Sequence, residues 1–155
     1  MRKFFFDCGT RDATASLGIF ALRVMIGLMM LIGHGIPKIG NFANHKDFFY
    51  VPDFLPVKMA SVSMMTCIGA EVVATTLLIL GFATRPAAFL LGLCMVVAAF
   101  GAFGGAPWFQ KSATLVDTKE VYILYLIPMI SIILAGAGGY SLDALLYKES
   151  KRRRW

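Results

Sequence analysis

Apolar residues form four long runs along this chain, separated by short polar segments. The runs extend from about residue 17 to 39, 59 to 80, 86 to 103 and 121 to 137. Each is close to the roughly 20 residues that a helix needs to cross about 30 Å of hydrocarbon. The alternating segments of about ten residues that form membrane barrels are absent from the sequence. The pattern therefore predicts an all-α fold, in which residues 1–155 form one domain, a four-helix transmembrane bundle.

Composition supports a membrane environment. Hydrophobic residues make up 58% of the chain and charged residues 15%, whereas soluble domains average about 45–50% apolar and about 25% charged residues. The net charge of +6 does not indicate a nucleic-acid partner, because the basic residues lie at the ends of apolar runs instead of along one helix face. We therefore expect membrane lipids, and no nucleic acid, around this protein.

The segments between the apolar runs predict two outer loops and a C-terminal helix. The loops cover residues 41–57 and 104–119, and the sequence GAGGY ends the fourth helix. Residues 141–147 have the pattern of a short amphipathic helix at the membrane interface, with Ser141 as its N-cap. Lysine and arginine are concentrated near both termini and the 81–85 turn, which predicts that both termini are cytoplasmic.

The first apolar run contains three side chains that are costly in lipid, Arg23, His34 and Lys38. At about 100° per residue they fall within one narrow arc of a helix. An arginine at the centre of a membrane helix costs about 2.5–3.5 kcal/mol on insertion scales, so it should have an acidic partner. Counting about 1.5 Å per residue places Arg23 and Glu71 at similar depths. We therefore expect a buried Arg23–Glu71 ion pair.

A second polar cluster is expected at the outer end of the same arc. His34 and Lys38 come level with Glu120, which opens the fourth helix, and the three would form a quinone or ligand pocket. Two alternatives stay open: the polar groups only fix the helix register, or Lys38 only extends to the interface. No catalytic residue and no metal site is identified. His34 and His45 do not make an axial pair for haem.

Several motifs together resemble the DoxX family of small bacterial membrane proteins over nearly the whole chain. They are ALRVMIGLMMLIGHGIPKIG, GAEVVATTLLILGFATRPAA, KEVYILYL and GAGGYSLDALL. The resemblance implies a multi-pass, four-helix protein of the bacterial cytoplasmic (inner) membrane that is linked to quinone-dependent oxidoreductases. The sequence contains no haem, flavin, nucleotide or iron–sulfur motif, so the electron carrier is expected to be a quinone or to belong to a partner.

These observations favour an accessory subunit of a membrane redox complex, engaged in quinone-linked electron transfer. Its partners would be other membrane subunits or further copies of itself. Whether it is an enzyme stays open; at most it would be a non-catalytic or quinone-binding part of an oxidoreductase. One alternative is a purely structural or lipid-binding subunit. Another is a small proton-coupled transporter or lipid-handling protein, which is less favoured because four helices without a broken pair are unusual for a transporter.

Overall fold

The computed structural model describes residues 12–53, 59–110 and 118–152, with side chains as far as residue 147. Within these ranges the chain is all-helical, as the sequence predicts. The basic N-terminal residues, the remaining parts of both predicted loops and the end of the C-terminal tail lie outside the described residues. The helices are α1 (Ala13–Gly40), α2 (Phe42–His45), α3 (Ala60–Leu80), α4 (Thr84–Ala102), α5 (Lys119–Ala135) and α6 (Leu142–Arg152).

The four long helices pack around a shared core. Helix α1 packs against α3, α3 against α4 and α4 against α5, and α1 also contacts α5. Neighbouring helices run antiparallel, because higher residue numbers on one meet lower numbers on the next. The core is apolar and includes Met30, Leu78, Leu91, Met95, Tyr125, Met129 and Ile132. Many other large apolar side chains face outward, and lipid would cover them more favourably than water.

Three of the long helices are long and apolar enough to cross a membrane. They are α1 with 28 residues, α3 with 21 and α4 with 19. Helix α5 has 17 residues and lies along α4, where a Cβ added at Gly92 would be 3.4 Å from a methyl carbon of Leu126. It begins and ends about two residues before the predicted fourth segment.

Helix ends differ from the predicted ones where polar side chains cap them. Helix α1 begins at Ala13, because the Asp12 carboxylate accepts a hydrogen bond from the Ala15 N–H at 3.0 Å. The hydroxyl of Ser141 accepts from the Ala144 N–H at 3.1 Å, which confirms Ser141 as the N-cap of the last helix. That helix continues to Arg152, beyond the predicted end at residue 147.

Two of the long helices contain a π-helical turn, at Leu31–Gly35 in α1 and at Ala98–Ala102 in α4. Such turns interrupt the regular hydrogen-bond ladder and are frequent at functional sites. In α1 the turn buries Gly35 against α3. A Cβ added at Gly35 would lie 3.2 Å from a methyl carbon of Val72. The regular α-helical arc assumed for this run therefore does not continue through the π turn.

Candidate functional site

Arg23 is fully buried, but it does not pair with Glu71. Its Nη1 donates to the carbonyl oxygen of Leu78 at 3.1 Å, and its Nη2 donates to that of Tyr140 at 2.6 Å. The guanidinium also lies 5.9 Å from the centre of the Phe20 ring. The expected Arg23–Glu71 ion pair is therefore corrected: backbone carbonyls, and not a carboxylate, hold the arginine.

The reason lies in the different lengths of α1 and α3. The depth estimate assumed that both helices end at the same level, whereas residues 13–22 of α1 extend beyond the end of α3. Arg23 consequently lies level with Gly81, and a Cβ added at Gly81 would overlap its guanidinium. Gly81 also has a φ of 70°, a left-handed conformation that favours glycine at a helix C-terminus. Gly81 is thus required both by its backbone conformation and by its closeness to Arg23.

Asp143 has a role that the sequence reasoning did not assign. Its side chain is buried, its Oδ1 accepts from the N–H of Ala83, and its Oδ2 accepts from both the N–H and the hydroxyl of Thr84, each at 2.9 Å. The Asp143 N–H donates in turn to the carbonyl of Gly81 at 2.9 Å. A carboxylate from the C-terminal segment therefore caps α4, which explains why α4 begins at Thr84 and not at Pro86.

These contacts form one junction, which we call the latch: Arg23, Gly81, Thr84, Tyr140 and Asp143. It joins α1, the turn between α3 and α4, and the segment that leads into α6. The hydroxyl of Ser16 adds a bond by accepting from the Gly139 N–H at 3.1 Å. Most of its polar partners are backbone groups near helix ends, where regular helices leave such groups unpaired. The latch is therefore a structural junction.

Glu71 pairs instead with Lys38. The Lys38 Nζ donates to Glu71 Oε1 at 2.5 Å, and the lysine side chain is 28% exposed whereas that of Glu71 is 2% exposed. Cys67, one turn earlier on α3, donates from its Sγ to the same oxygen at 3.6 Å and lies 3.7 Å from the Lys38 Nζ. The second carboxylate oxygen, Oε2, is buried and has no hydrogen-bond partner among the described residues.

His34 lies beside this pair. Its ring meets that of Tyr125 edge-on, with the centroids 5.2 Å apart, and it precedes Lys38 by one helical turn. We call His34, Lys38, Cys67 and Glu71 the carboxylate cluster. The sequence suggested Lys38 and His34 but assigned Glu71 to Arg23. Lys38 lies in the last turn of α1, from which its long side chain can reach inward to a carboxylate of α3. This reach is the sequence signal that could have linked Lys38 to Glu71.

Glu120 is separate from the carboxylate cluster. Its Oε2 accepts from the N–H of Gln110 at 3.1 Å, so it binds the segment before α5. The adjacent Lys119 is the buried cation of this region; its Nζ donates to the Gly104 carbonyl at 2.6 Å and lies 5.0 Å from the Trp108 ring centre. The expected grouping of His34, Lys38 and Glu120 is therefore corrected, because Glu71 offers Lys38 a buried carboxylate that Glu120 does not.

The polar groups available to a ligand are concentrated in the carboxylate cluster. A cleft of about 370 Å³ lies elsewhere, between residues 50–53 and the π turn of α4, and its lining contains none of the expected site residues. Within the described ranges, histidine, cysteine and carboxylate side chains do not gather in groups of three that could hold a metal ion. The Lys38 ammonium, the His34 ring and Glu71 Oε2 are therefore the groups to consider for an organic ligand.

Comparison with known proteins bears on this arrangement. The DoxX family model matches residues 18–104, more than half of the chain, and the match contains Arg23, Lys38 and Glu71. The Asp143 side of the latch lies beyond it. Searches of curated proteins and of solved structures found no similar protein. On the strength of the family match, this chain belongs to the DoxX family.

Proposed function

We propose that this protein is an integral membrane accessory subunit of a quinone-linked redox complex in the bacterial cytoplasmic membrane. Membership of the DoxX family supports a membrane location and a redox association. In this proposal α5 also crosses the bilayer, so that four spans leave both termini in the cytoplasm. Helix α6 lies at the interface, where the exposed Leu142, Leu145 and Leu146 contact lipid.

The proposed quinone contact is the carboxylate cluster, and the environment of Glu71 carries the proposal. Glu71 is the twelfth of the 21 residues of α3, close to the middle of a membrane span. Ionisable groups at that depth are costly and are functional candidates by default. Lys38 compensates only one carboxylate oxygen, and Oε2 remains a buried acceptor without a partner in the part of the chain that the structure describes. A buried acceptor beside a partly exposed donor suits a ligand that alternates between carbonyl and hydroxyl groups.

The residues present fit a quinone for this reason. A bound quinone supplies a couple of two electrons and two protons. Lys38 donates a hydrogen bond to a quinone carbonyl, and Glu71 accepts one from a quinol hydroxyl. His34, whose ring lies beside the pair, exchanges protons with the cluster through its ring nitrogens. Partner subunits supply any further redox centre.

Quinone affinity tests this assignment with a matched pair of variants. Glu71→Gln and Glu120→Gln make the same chemical change, one inside the carboxylate cluster and one outside it. We expect Glu71→Gln to weaken binding of a short-chain quinone analogue about tenfold, equivalent to about 1.4 kcal/mol, because the neutral amide is a poorer acceptor. Glu120→Gln should bind like the wild type. Equilibrium dialysis of the protein in nanodiscs measures both affinities.

Three outcomes would contradict the proposal. Equal affinity of the wild type and Glu71→Gln would remove Glu71 from the quinone contact. Recovery of the protein from its native membrane in a complex that retains no quinone would instead favour the purely structural or lipid-binding subunit. Uptake of a labelled solute by proteoliposomes, abolished in Glu71→Gln, would favour the proton-coupled transporter.

A further inference from the structure

Thr75 follows Glu71 by one turn of α3 and is fully buried, yet its hydroxyl has no hydrogen-bond partner among the described residues. Thr66 and Thr76 on the same helix behave differently. Each donates to the carbonyl four residues earlier, at 2.9 Å and 2.8 Å, the bond by which a helical threonine commonly satisfies itself. Thr75 does not form this bond, although it is the most deeply buried of the three threonines. Its hydroxyl therefore lacks the bond to its own helix backbone that Thr66 and Thr76 form.

The Thr75 side chain lies in the seam between α1 and α3. A Cβ added at Gly27 of α1 would be 3.8 Å from the Thr75 methyl carbon, so the two helices approach closely here. Four residues before Thr75 lies Glu71, and at the latch end of the seam lies Arg23. Glu71 Oε2 and Arg23 Nε are both buried and, within the described ranges, have no hydrogen-bond partner. Three buried polar groups with unused hydrogen-bonding capacity thus follow one another along one helix interface.

The chemistry of these groups indicates what would bind them. A buried polar atom without a hydrogen bond is costly, and most where hydrocarbon surrounds the helices. Ordered water is the usual partner of such atoms in folded proteins. Water also matches the groups in kind, because it can accept from the Thr75 hydroxyl while donating to the Glu71 carboxylate. A metal ion fits less well, since the seam offers only one carboxylate and a neutral hydroxyl.

We propose that the seam binds internal water between Glu71 and Thr75. This water hydrogen-bonds to Glu71 Oε2, so the carboxylate gains exchangeable protons from the latch side while Lys38 holds Oε1. The role in proton exchange rests on the proposed function of the carboxylate cluster, whereas the binding of water does not. The N–H at Arg23 Nε donates to the water nearest to it.

Replacing the hydroxyl by a methyl group tests this site through the sign of the stability change. Thr75→Val keeps the shape of the side chain, and Thr76→Val makes the same change on the exposed neighbour as a matched control. If water links Thr75 to Glu71, Thr75→Val leaves that water without a donor and lowers the Tm by about 2–4 °C. Thr76→Val should leave the Tm within about 1 °C.

Infrared difference spectra supply a second readout. In the wild type, exchange into H₂¹⁸O should shift an O–H stretching band of internal water, and this band should be lost in Thr75→Val but kept in Thr75→Ser and Thr76→Val. A higher Tm for Thr75→Val would overturn the proposal, because a methyl group is preferred over a hydroxyl that has no partner at all. A wild-type spectrum without a band sensitive to H₂¹⁸O would also overturn it. Neither measurement uses quinone, so failure here is distinct from failure of the quinone contact.

Discussion

The latch and the carboxylate cluster both hold a cation of α1 against α3, but they satisfy it in different ways. In the latch, Arg23 donates to two backbone carbonyls and is fully buried. In the carboxylate cluster, Lys38 is partly exposed and donates to a side chain whose second oxygen has no partner among residues 12–53, 59–110 and 118–147. Backbone groups at helix ends cannot change partners unless the helices move, whereas a lysine on a flexible stem can.

This difference distinguishes a cation that stabilises the helix arrangement from a cation that can bind a ligand. A charge held by fixed backbone groups stabilises one arrangement of helices, and its main donors, the two Nη groups of Arg23, are already bonded. A charge held by another side chain can share its hydrogen bonds with a ligand without unfolding its surroundings. We therefore assign Arg23 and Asp143 to stability and propose a ligand-binding role for Lys38 and Glu71, although all four are ionisable groups in an apolar protein.

The largest effect is expected from removing Arg23. Arg23→Met keeps an extended apolar side chain but removes two charge-assisted hydrogen bonds, each worth about 1.5–3 kcal/mol. We expect the free energy of unfolding to fall by about 3–5 kcal/mol, with the Tyr140 carbonyl losing its donor. Equilibrium unfolding in mixed detergent micelles measures this change. Arg23→Lys should lose less, because it keeps the charge but cannot reach both carbonyls with a planar fork.

A small effect of Arg23→Met would contradict the structural role that we assign to the latch in contrast to the carboxylate cluster. If its unfolding free energy matched that of the wild type within about 0.5 kcal/mol, the latch would not be the structural element. Quinone affinity gives an independent check. In any preparation of Arg23→Met that remains folded, the affinity should equal that of the wild type, because the carboxylate cluster does not include Arg23.

A smaller effect is expected for Asp143→Ala. The substitution removes the cap of α4 and three hydrogen bonds, and loss of a helix cap costs up to about 2 kcal/mol. The segment from Gly136 to Ser141 should then separate from the bundle more often, so limited proteolysis should cut it several times faster than in the wild type. Ser141→Ala removes the cap of α6 and the bond from the Ser141 hydroxyl to the Gly138 carbonyl. It leaves the bonds of Asp143 to α4 in place and therefore serves as the control, with little change at α4. Equal cleavage rates in Asp143→Ala and the wild type would contradict the role of Asp143 in the latch.

Sequence patterns predicted the helices better than the contacts between them. The apolar runs located α1, α3, α4 and α5, because hydrophobic length depends on the residues of each run alone. The partner of Arg23 depends on how far α1 extends beyond α3, which no pattern within either helix encodes. The π turn in α1 likewise brings Gly35 against α3, a contact that the predicted helical arc did not include.

The role of Asp143 was missed for a related reason. An acidic residue in the first turn of a helix is ordinarily interpreted as stabilising its own helix. Its contacts with Ala83 and Thr84 become visible only when the C-terminal segment is folded back against the turn between α3 and α4. Glu71 is the opposite case: the sequence identified it as a buried carboxylate, and only its cationic partner was assigned incorrectly.

The smallest and most discriminating effect concerns the coupling of Lys38 and Glu71. Lys38→Met alone leaves a carboxylate in an apolar interior without its cation, and Glu71→Leu alone leaves the lysine without its acceptor. The double variant removes both charges, so it should be more stable than the sum of the single effects implies. We expect a coupling free energy of about 1–2 kcal/mol, in the upper range for polar contacts between membrane helices.

A double-mutant cycle in the same micelles measures this coupling. A parallel cycle with Lys46→Met and Glu71→Leu is the control, because Lys46 lies in the loop after α2 and should add to Glu71 within about 0.5 kcal/mol. If Lys38 and Glu71 are equally additive, their contact contributes no stability and only their ligand affinity matters. If the coupling free energy of Lys38 and Glu71 instead exceeds the loss of unfolding free energy in Arg23→Met, the carboxylate cluster is the stronger structural element. The assignment of stability to the latch and function to the carboxylate cluster would then have to be reversed. A quinone that takes over hydrogen bonds of a strongly stabilising pair must first offset the stability which that pair contributes to the bundle.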